Sequence, residues 1–322
     1  MPGRANIIGE HTDYNEGLSL PMAIQLGVTV AVSPRDDSRV LLQSDGYEAA
    51  YLDEVTADSP IHLRLGRSVA DRFGVAGVEW RVASSLPAGS GLSSSAAYLG
   101  ALVLATGYRA DTLTVARVMQ EIEAACGSAV GLLDQLAVLH TLKGHAVRID
   151  FVDNHTIDVS LPANWSWSAV HSGEHRSLAE TRYAQRRNEC DAIRDQLGPW
   201  RTLSLHDIGS LGDETLVRRG RHVVTETSRV DEMIQAMADD DIEMAGAILN
   251  ASHASLRDDF EVSTPGIDVL ARDLQNTPGV YGARLMGGGF GGCLLVLHRE
   301  DVAMKNLYPH AWRLTPSAGA LR

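Results

Sequence analysis

A chain of 322 residues with a net charge of −13 and 44% hydrophobic content can bury a large core, more often as two domains than one. That charge argues against a general nucleic-acid binder, because phosphate contacts need clustered Lys and Arg, yet it leaves room for a nucleotide pocket built from backbone N–H groups. No apolar run approaches the ~20 residues of a membrane span, no signal-peptide pattern opens the chain, and Cys126, Cys190 and Cys293 form no CxxC pair, so the expectation is a soluble cytoplasmic protein with reduced core cysteines and no membrane partner.

The chain opens on a strand-like pair, Ile7-Ile8, that runs through Gly9 into Glu10-His11-Thr12-Asp13-Tyr14-Asn15. Polar groups clustered just past a strand suit a loop site. Carboxylates accept from hydroxyls and His can donate or accept, so a polyhydroxylated ligand fits; the alternative is a turn in which Thr12 and Asp13 bond nearby backbone. Leu18 to Ile24 and Val28 to Val32 read as two strands, and Val40 to Leu42 and the region around Tyr51 continue a strand-rich start. Ile61 to Phe73 has helical amphipathicity and Val78 to Val82 alternates as a strand. An Ala-rich helix to about Ala105, one from Thr114 to Ala125, and strands at Ala146 to Phe151 and Ser166 to Val170 complete the first half. The second half reads as helices at Leu178 to Leu197, Leu216 to Met237, Ile242 to Ser255 and Ile267 to Leu274, then strands at Val280 to Leu285 and Leu294 to His298. The acidic run Asp239-Asp240-Asp241 reads as a helix N-cap and solvated turn. No internal repeat is present, and the shift from strand-rich to helix-rich pattern puts a boundary near 165–175.

Three stretches carry chemistry. Gly89-Ser90-Gly91-Leu92-Ser93-Ser94-Ser95 follows a strand and opens a helix, where backbone N–H groups and the helix dipole hold phosphate. No Lys follows it as in a Walker loop, and Ser94 occupies the third Gly of the dinucleotide fingerprint. A turn with a Ser cap would need fewer serines, and a Ser hydroxyl can ligate Mg²⁺ beside phosphates. Gly287 to Gly292 holds five glycines in six residues, more than a hairpin requires, which implies positive φ or close approach to a ligand or the opposing domain. Asp134 lies in an apolar run from Val130 to Leu139 and is either a helix N-cap or an acid needing a partner, with Arg4 or Gln135 as candidates.

Taken in order, these stretches resemble the GHMP small-molecule kinases, in their galactokinase branch, over nearly the whole chain. Pro2 to Asn15 resembles the galactokinase signature, Pro87 to Ala97 the family's phosphate loop, and Gly282 to Cys293 its third motif. Gly131 to Gln135, Ser177-Leu178 with Tyr183 and Arg186-Arg187, Arg221 to Val224, and Ser252-His253 through Val262-Ser263 are also similar to galactokinase segments. The resemblance implies an α+β, two-domain GHMP-kinase fold, with a strand-rich N-terminal domain (1–168), a helix-rich C-terminal domain (169–322) and the active site between them. It implies that Glu10, His11, Thr12, Asp13 and Tyr183 hold a sugar. Gly89 to Ser95 would wrap the phosphates of ATP, Ser95 and a glutamate would hold Mg²⁺, Asp134 would take the proton from the anomeric hydroxyl, and Arg4 would orient it. The implied activity is an ATP-dependent 1-kinase for D-galactose, working as a monomer on a small-molecule sugar.

The chain departs from that pattern in four places. Family members carry some tens of residues ahead of the signature, so a truncated or misassigned start is expected. The position twelve before Asp134, where the family has its magnesium glutamate, is Ile122; Glu121 and Glu123 flank it, and a one-residue deletion before Gly127 would bring Glu123 into place. Ile61 to Phe73 lacks the aromatic pair expected near the adenine pocket, and Met286 stands where the third motif often has Thr. Competing functions are a kinase for N-acetylgalactosamine, a uronic acid or a pentose, and a non-catalytic sensor of sugar and nucleotide. The sensor-like relative lacks two residues of the Ser-Ala run, which is intact here from Ser93 to Ala97.

Overall fold

A computed structural model of the chain describes residues 1–87, 89–127, 131–174 and 179–322; Ala88, Val130, Ser177 and Leu178, named above, lie outside the described residues. The first half is built on two sheets. Strands β1 (Pro2–Asn6), β2 (Leu18–Ser19), β3 (Pro21–Pro34), β4 (Val40–Ser44) and β5 (Ala50–Tyr51) precede helix α1 (Ile61–Phe73) and strand β6 (Val78–Ser84). Helices α2 (Ser94–Ala105), α3 (Thr112–Ala125) and α4 (Leu133–His140) then lead to strands β7 (His145–Asp150) and β8 (His155–Ser160). One sheet has the order β1-β3-β6-β4-β5 and the other β2-β7-β8.

The stretches Leu18 to Ile24 and Val28 to Val32 do not form two strands as their composition suggests. Residues 21–34 run as one 14-residue strand, β3, while Leu18-Ser19 pairs separately with Asp150 and Ile149. Ile7-Ile8 lies just past β1, fully buried, and is tied to Leu20 by backbone bonds at 3.0 and 2.9 Å. The strand β8 has no fully buried residue, its six positions being exposed or half-exposed, so no buried stripe marks it in the sequence.

One strand read above with the first half pairs with strands near the end of the chain. Strand β9 (Ser166–His171), assigned above to the first half, pairs with β11 (Cys293–His298) and β12 (Ala311–Leu314) in the sheet β10-β11-β9-β12, where β10 is Val280–Leu285. Its residues are buried almost throughout, so its pattern fits either sheet, and only pairing decides. Helices α5 (Ala179–Leu197), α6 (Leu205–Ile208), α7 (Glu214–Ala238), α8 (Ile242–Asp258), α9 (Pro265–Gln275) and α10 (Met304–Leu307) complete the second half. Asp241 caps α8 by accepting from the Met244 N–H, as its residue type suggests.

Backbone bonds from the last residues of the second half help join it to the first. Ile24 bridges Pro316, and Gln25 donates its backbone N–H to Thr315. The terminal Ala320 and Leu321 bond back to Val138 and Leu139 on α4. The three cysteines are buried. Among the described residues no helix is long and apolar enough to cross a membrane.

Candidate active site

Arg4 sits on β1, whose alternation turns residues 4 and 6 to one face. Its Nε donates to Asp134 Oδ1 at 2.8 Å, its Nη2 lies 2.6 Å from the same oxygen, and its Nη1 donates to the Gly91 carbonyl at 2.6 Å. Asp134 is the second residue of α4 and caps nothing; the N-cap position is Leu132. Its side chain stays 35% exposed while that of Arg4 is 6% exposed. The acid therefore has the partner its apolar surroundings demanded, and an open edge.

The Gly/Ser loop meets that pair at Gly91. Gly89, Gly91 and Ser93 all take positive φ, 69°, 74° and 59°. Ser93 is the N-cap of α2, but in the left-handed region its hydroxyl makes no cap bond, so the capping explanation of these serines fails. The first N–H groups of α2 are left without a side-chain cap, and Ser94 and Ser95 beside them are exposed. The hydroxyls of Ser90 and Ser93 are buried without a partner among the described residues. Leu92 gives its side chain to the core and its carbonyl to the Arg4 N–H at 3.1 Å. Uncapped N–H groups, a helix dipole and unused hydroxyls fit an anion.

Ile122 is buried in the core and Glu121 reaches out to Arg72 at 2.8 Å. Glu123 instead faces the loop, where Ser95 Oγ donates to its Oε1 at 2.9 Å and Gln135 Nε2 donates to its Oε2. Glu123 is 4% exposed, and burial raises its carboxyl above the usual range, assisted by Asp134 and opposed by the bonds from Ser95 and Gln135. Among the described residues no Arg or Lys pairs with it. A buried acid without a cation, touching a hydroxyl at a phosphate-type loop, fits a hard divalent ion with oxygen ligands. The described residues contain no group of three or more His, Cys, Asp or Glu placed to hold a metal by themselves, so such an ion would also depend on ligand oxygens.

Beyond Asp134 lies the polar loop. Glu10 is 4% exposed; its Oε1 accepts from the Gly287 N–H at 2.7 Å and from Arg284 Nη2 at 3.0 Å. Burial would raise its pKa, but Arg284, Arg4 and the Gly287 N–H outweigh it and hold the carboxyl below the usual range. His11 accepts or donates at Nδ1 with Tyr14 Oη at 2.9 Å, while its Nε2 is buried and unpartnered among the described residues. Burial drives its pKa down to about 3, so the ring is neutral. The half-buried Asp13 carboxyl lies against Gly131, where a Cβ would fall 1.7 Å from Oδ2. Burial, then Asp134 and Glu10, push that carboxyl up to about 7. Tyr183, from α5, packs 5.6 Å from the His11 ring and faces Gly288.

Thr12 is fully buried, and its hydroxyl lies 2.9 Å from the Gly9 carbonyl, 2.7 Å from the Leu18 carbonyl and 3.0 Å from Ser19 Oγ. These contacts lock the turn that carries Glu10, His11 and Asp13.

The glycine-rich strand entry also finds its reason. Gly287, Gly289, Gly291 and Gly292 take positive φ. Gly287 presents its N–H to Glu10, and at Gly289 a Cβ would sit 2.6 Å from the Val262 carbonyl. Gly287 thus meets the opposing half through Glu10, while the close approach at Gly289 is to Val262 within its own half. Sequence reasoning passed over Arg284 and Glu226. Arg284, fully buried, donates to the Ile7 and Asn6 carbonyls at 2.8 and 2.7 Å. Glu226 interrupts the buried stripe Arg219, Val223, Val230, Met233 of α7, and an acid on an apolar stripe was the available signal.

The chain is similar to known proteins in three segments and in its fold. Residues 2–34 match the galactokinase galactose-binding signature, residues 61–141 the GHMP kinases N terminal domain, and residues 233–308 the GHMP kinases C terminal domain. The structure of Lactococcus lactis galactokinase complexed with galactose superposes with a TM-score of 0.87 at 29% identity, covering 99% of this chain and 92% of that one. Methanococcus jannaschii mevalonate kinase gives 0.71 at 17% identity over 98% and 96% of the two chains. Streptococcus pneumoniae phosphomevalonate kinase, solved with phosphomevalonate and AMPPNP, gives 0.67 at 14% over 97% and 98%. The last two share the fold.

Proposed function

This chain belongs to the GHMP kinase family, in its galactokinase branch, and is a sugar kinase; from that premise we propose that it moves the γ-phosphoryl group of ATP to the anomeric hydroxyl of D-galactose, giving galactose 1-phosphate and ADP. The observation that carries the reading is a single side chain. Arg4 touches both the Gly91 carbonyl of the phosphate-type loop and the Asp134 carboxylate, so one cation spans the donor and acceptor sides.

On this reading Gly89 to Ser95 and the open N-terminus of α2 hold the ATP phosphates. Glu10, His11, Asp13 and Tyr183 hold the sugar, with the unpartnered His11 Nε2 free for a hydroxyl. Asp134 receives the proton of the anomeric hydroxyl as its oxygen bonds to phosphorus and ADP departs. Arg4 keeps Asp134 aligned and offsets charge on the transferring group. Phosphoryl transfer depends on alignment and charge neutralisation, so one carboxylate, one Arg and a preformed anion loop supply most of what it needs. Ser95 and Glu123 would hold Mg²⁺, which when bound neutralises phosphate charge. Residues 1–168 and 169–322 remain the proposed domains, with β9 (Ser166–His171), which pairs with β11, straddling that boundary.

A panel of sugars with coupled ADP detection tests the reading. D-galactose should be turned over ahead of its epimers, N-acetylgalactosamine, uronic acids and pentoses. A different preferred sugar would remove galactose, and binding of both ligands without turnover would favour a sensor.

A further inference from the structure

The polar loop of the first half is gripped from behind by α7 and α8, through its backbone. Glu226 Oε1 accepts from the Gly9 N–H at 3.0 Å and the Glu10 N–H at 3.2 Å, and from Ser252 Oγ at 2.8 Å. Its Oε2 accepts from Arg229 at 2.8 Å. His222, one turn earlier, lies at 3.1 Å through Nε2 from the Glu10 carbonyl and at 2.9 Å through Nδ1 from Ser255 Oγ. Both side chains are fully buried.

Two successive amides converging on one oxygen form an anion-binding concavity. Gly9 permits it with φ of +91°, at a spot where a Cβ would lie 2.4 Å from the Leu18 carbonyl. Here the anion is part of the protein. Glu10 is therefore clamped at three kinds of atom: its amide by Glu226, its carbonyl by His222, its carboxylate by Arg284 and Gly287. Simple packing of α7 on the loop would not need a buried carboxylate, which is costly unless its bonds are all made.

We propose that Glu226, with His222, is a positioning residue for the sugar site: it holds the Gly9-Glu10 backbone across the boundary between the halves and so sets affinity for the sugar. This rests on the proposed sugar-kinase reading. Neither residue reaches the phosphate loop, so the nucleotide side should be insensitive to them.

The test uses the full-length protein and the variants Glu226→Gln, Glu226→Ala and His222→Gln. Sugar affinity is read by calorimetry with D-galactose, KM for ATP by coupled assay, and exchange of the Gly9 and Glu10 amides by hydrogen–deuterium exchange. Glu226→Ala should weaken sugar binding by about tenfold or more, with Glu226→Gln between it and the parent because it keeps one acceptor. KM for ATP should stay within about twofold, and Gly9-Glu10 exchange should accelerate in all three. Equal changes in sugar affinity and KM for ATP would overturn the proposal, as would a sugar affinity unchanged in Glu226→Gln and His222→Gln. Should Glu226→Ala not fold, those two variants decide. If the parent itself binds no galactose, the sugar reading fails, and the exchange measurement still judges the anchor: unchanged exchange in Glu226→Gln sinks it.

Discussion

Arg4 and Asp134 stand 130 residues apart in sequence and meet through two guanidinium nitrogens on one carboxylate oxygen, at 2.8 and 2.6 Å. Among the described residues no hydrogen bond occupies the second carboxylate oxygen of Asp134, where the proposed reading puts the substrate hydroxyl. Asp134→Asn keeps the shape and removes the base, so kcat should fall by about 10²-fold or more. Sugar affinity should hold, as calorimetry would report. Arg4→Lys should also lower kcat, because a compact ammonium cannot hold Asp134 and Gly91 together. A Asp134→Asn enzyme with parental kcat would exclude Asp134 as the base.

Glu123 is the second test. Its carboxylate is the buried acid beside Ser95, whereas Glu121 is exposed and paired with Arg72. Glu123→Gln should raise the Mg²⁺ concentration for half-maximal activity by about tenfold, and Glu121→Gln should leave it unmoved. The reverse pattern in a Mg²⁺ titration would assign the ion to the other glutamate.

The pH dependence follows from Asp13. Burial first, then Asp134 and Glu10, raise its carboxyl from its ordinary 3.8 to about 7. The folded pKa exceeds the unfolded one, so the folded chain holds an extra proton between those values. The stabilisation from this group is complete below 3.8 and is lost as pH rises through about 7. Asp13→Asn cannot ionise and should melt above the parent at pH 8 without sugar, with the gain vanishing at low pH. Its sugar affinity should be weaker, and parental affinity should improve as pH rises and the carboxylate becomes a full acceptor. Parallel melting curves for the two proteins at both pH values would contradict this.

Gly131 isolates the same carboxylate from the other side. Its φ is not positive, so alanine is tolerated by the backbone, but the new Cβ would fall 1.7 Å from Asp13 Oδ2. Gly131→Ala should therefore displace Asp13 and raise KM for the sugar by about tenfold, since a misplaced positioning group of this kind can cost 10²-fold. KM for ATP should be nearly unchanged. A uniform rise in both KM values would point to general damage to α4.

Much of this was legible from residue order alone. The helix at Ile61–Phe73, the strand entry at Val78 and the helix opening at Ser94 follow from periodicity and turn chemistry. The chemical roster of Arg4, Glu10, His11, Asp13, Ser95 and Asp134 followed from motif order, because each motif is a local run of residues. Local pattern states what a residue can do and which face of an element it occupies. It does not state what lies across the gap. Only the tertiary structure turned the Thr12 hydroxyl into its own loop, paired β9 with β11 and β12, chose Glu123 over Glu121 to face Ser95, and put Glu226 behind Gly9. Those outcomes depend on partners brought together by burial from opposite ends of the chain, and a buried polar group is satisfied by whichever partner arrives.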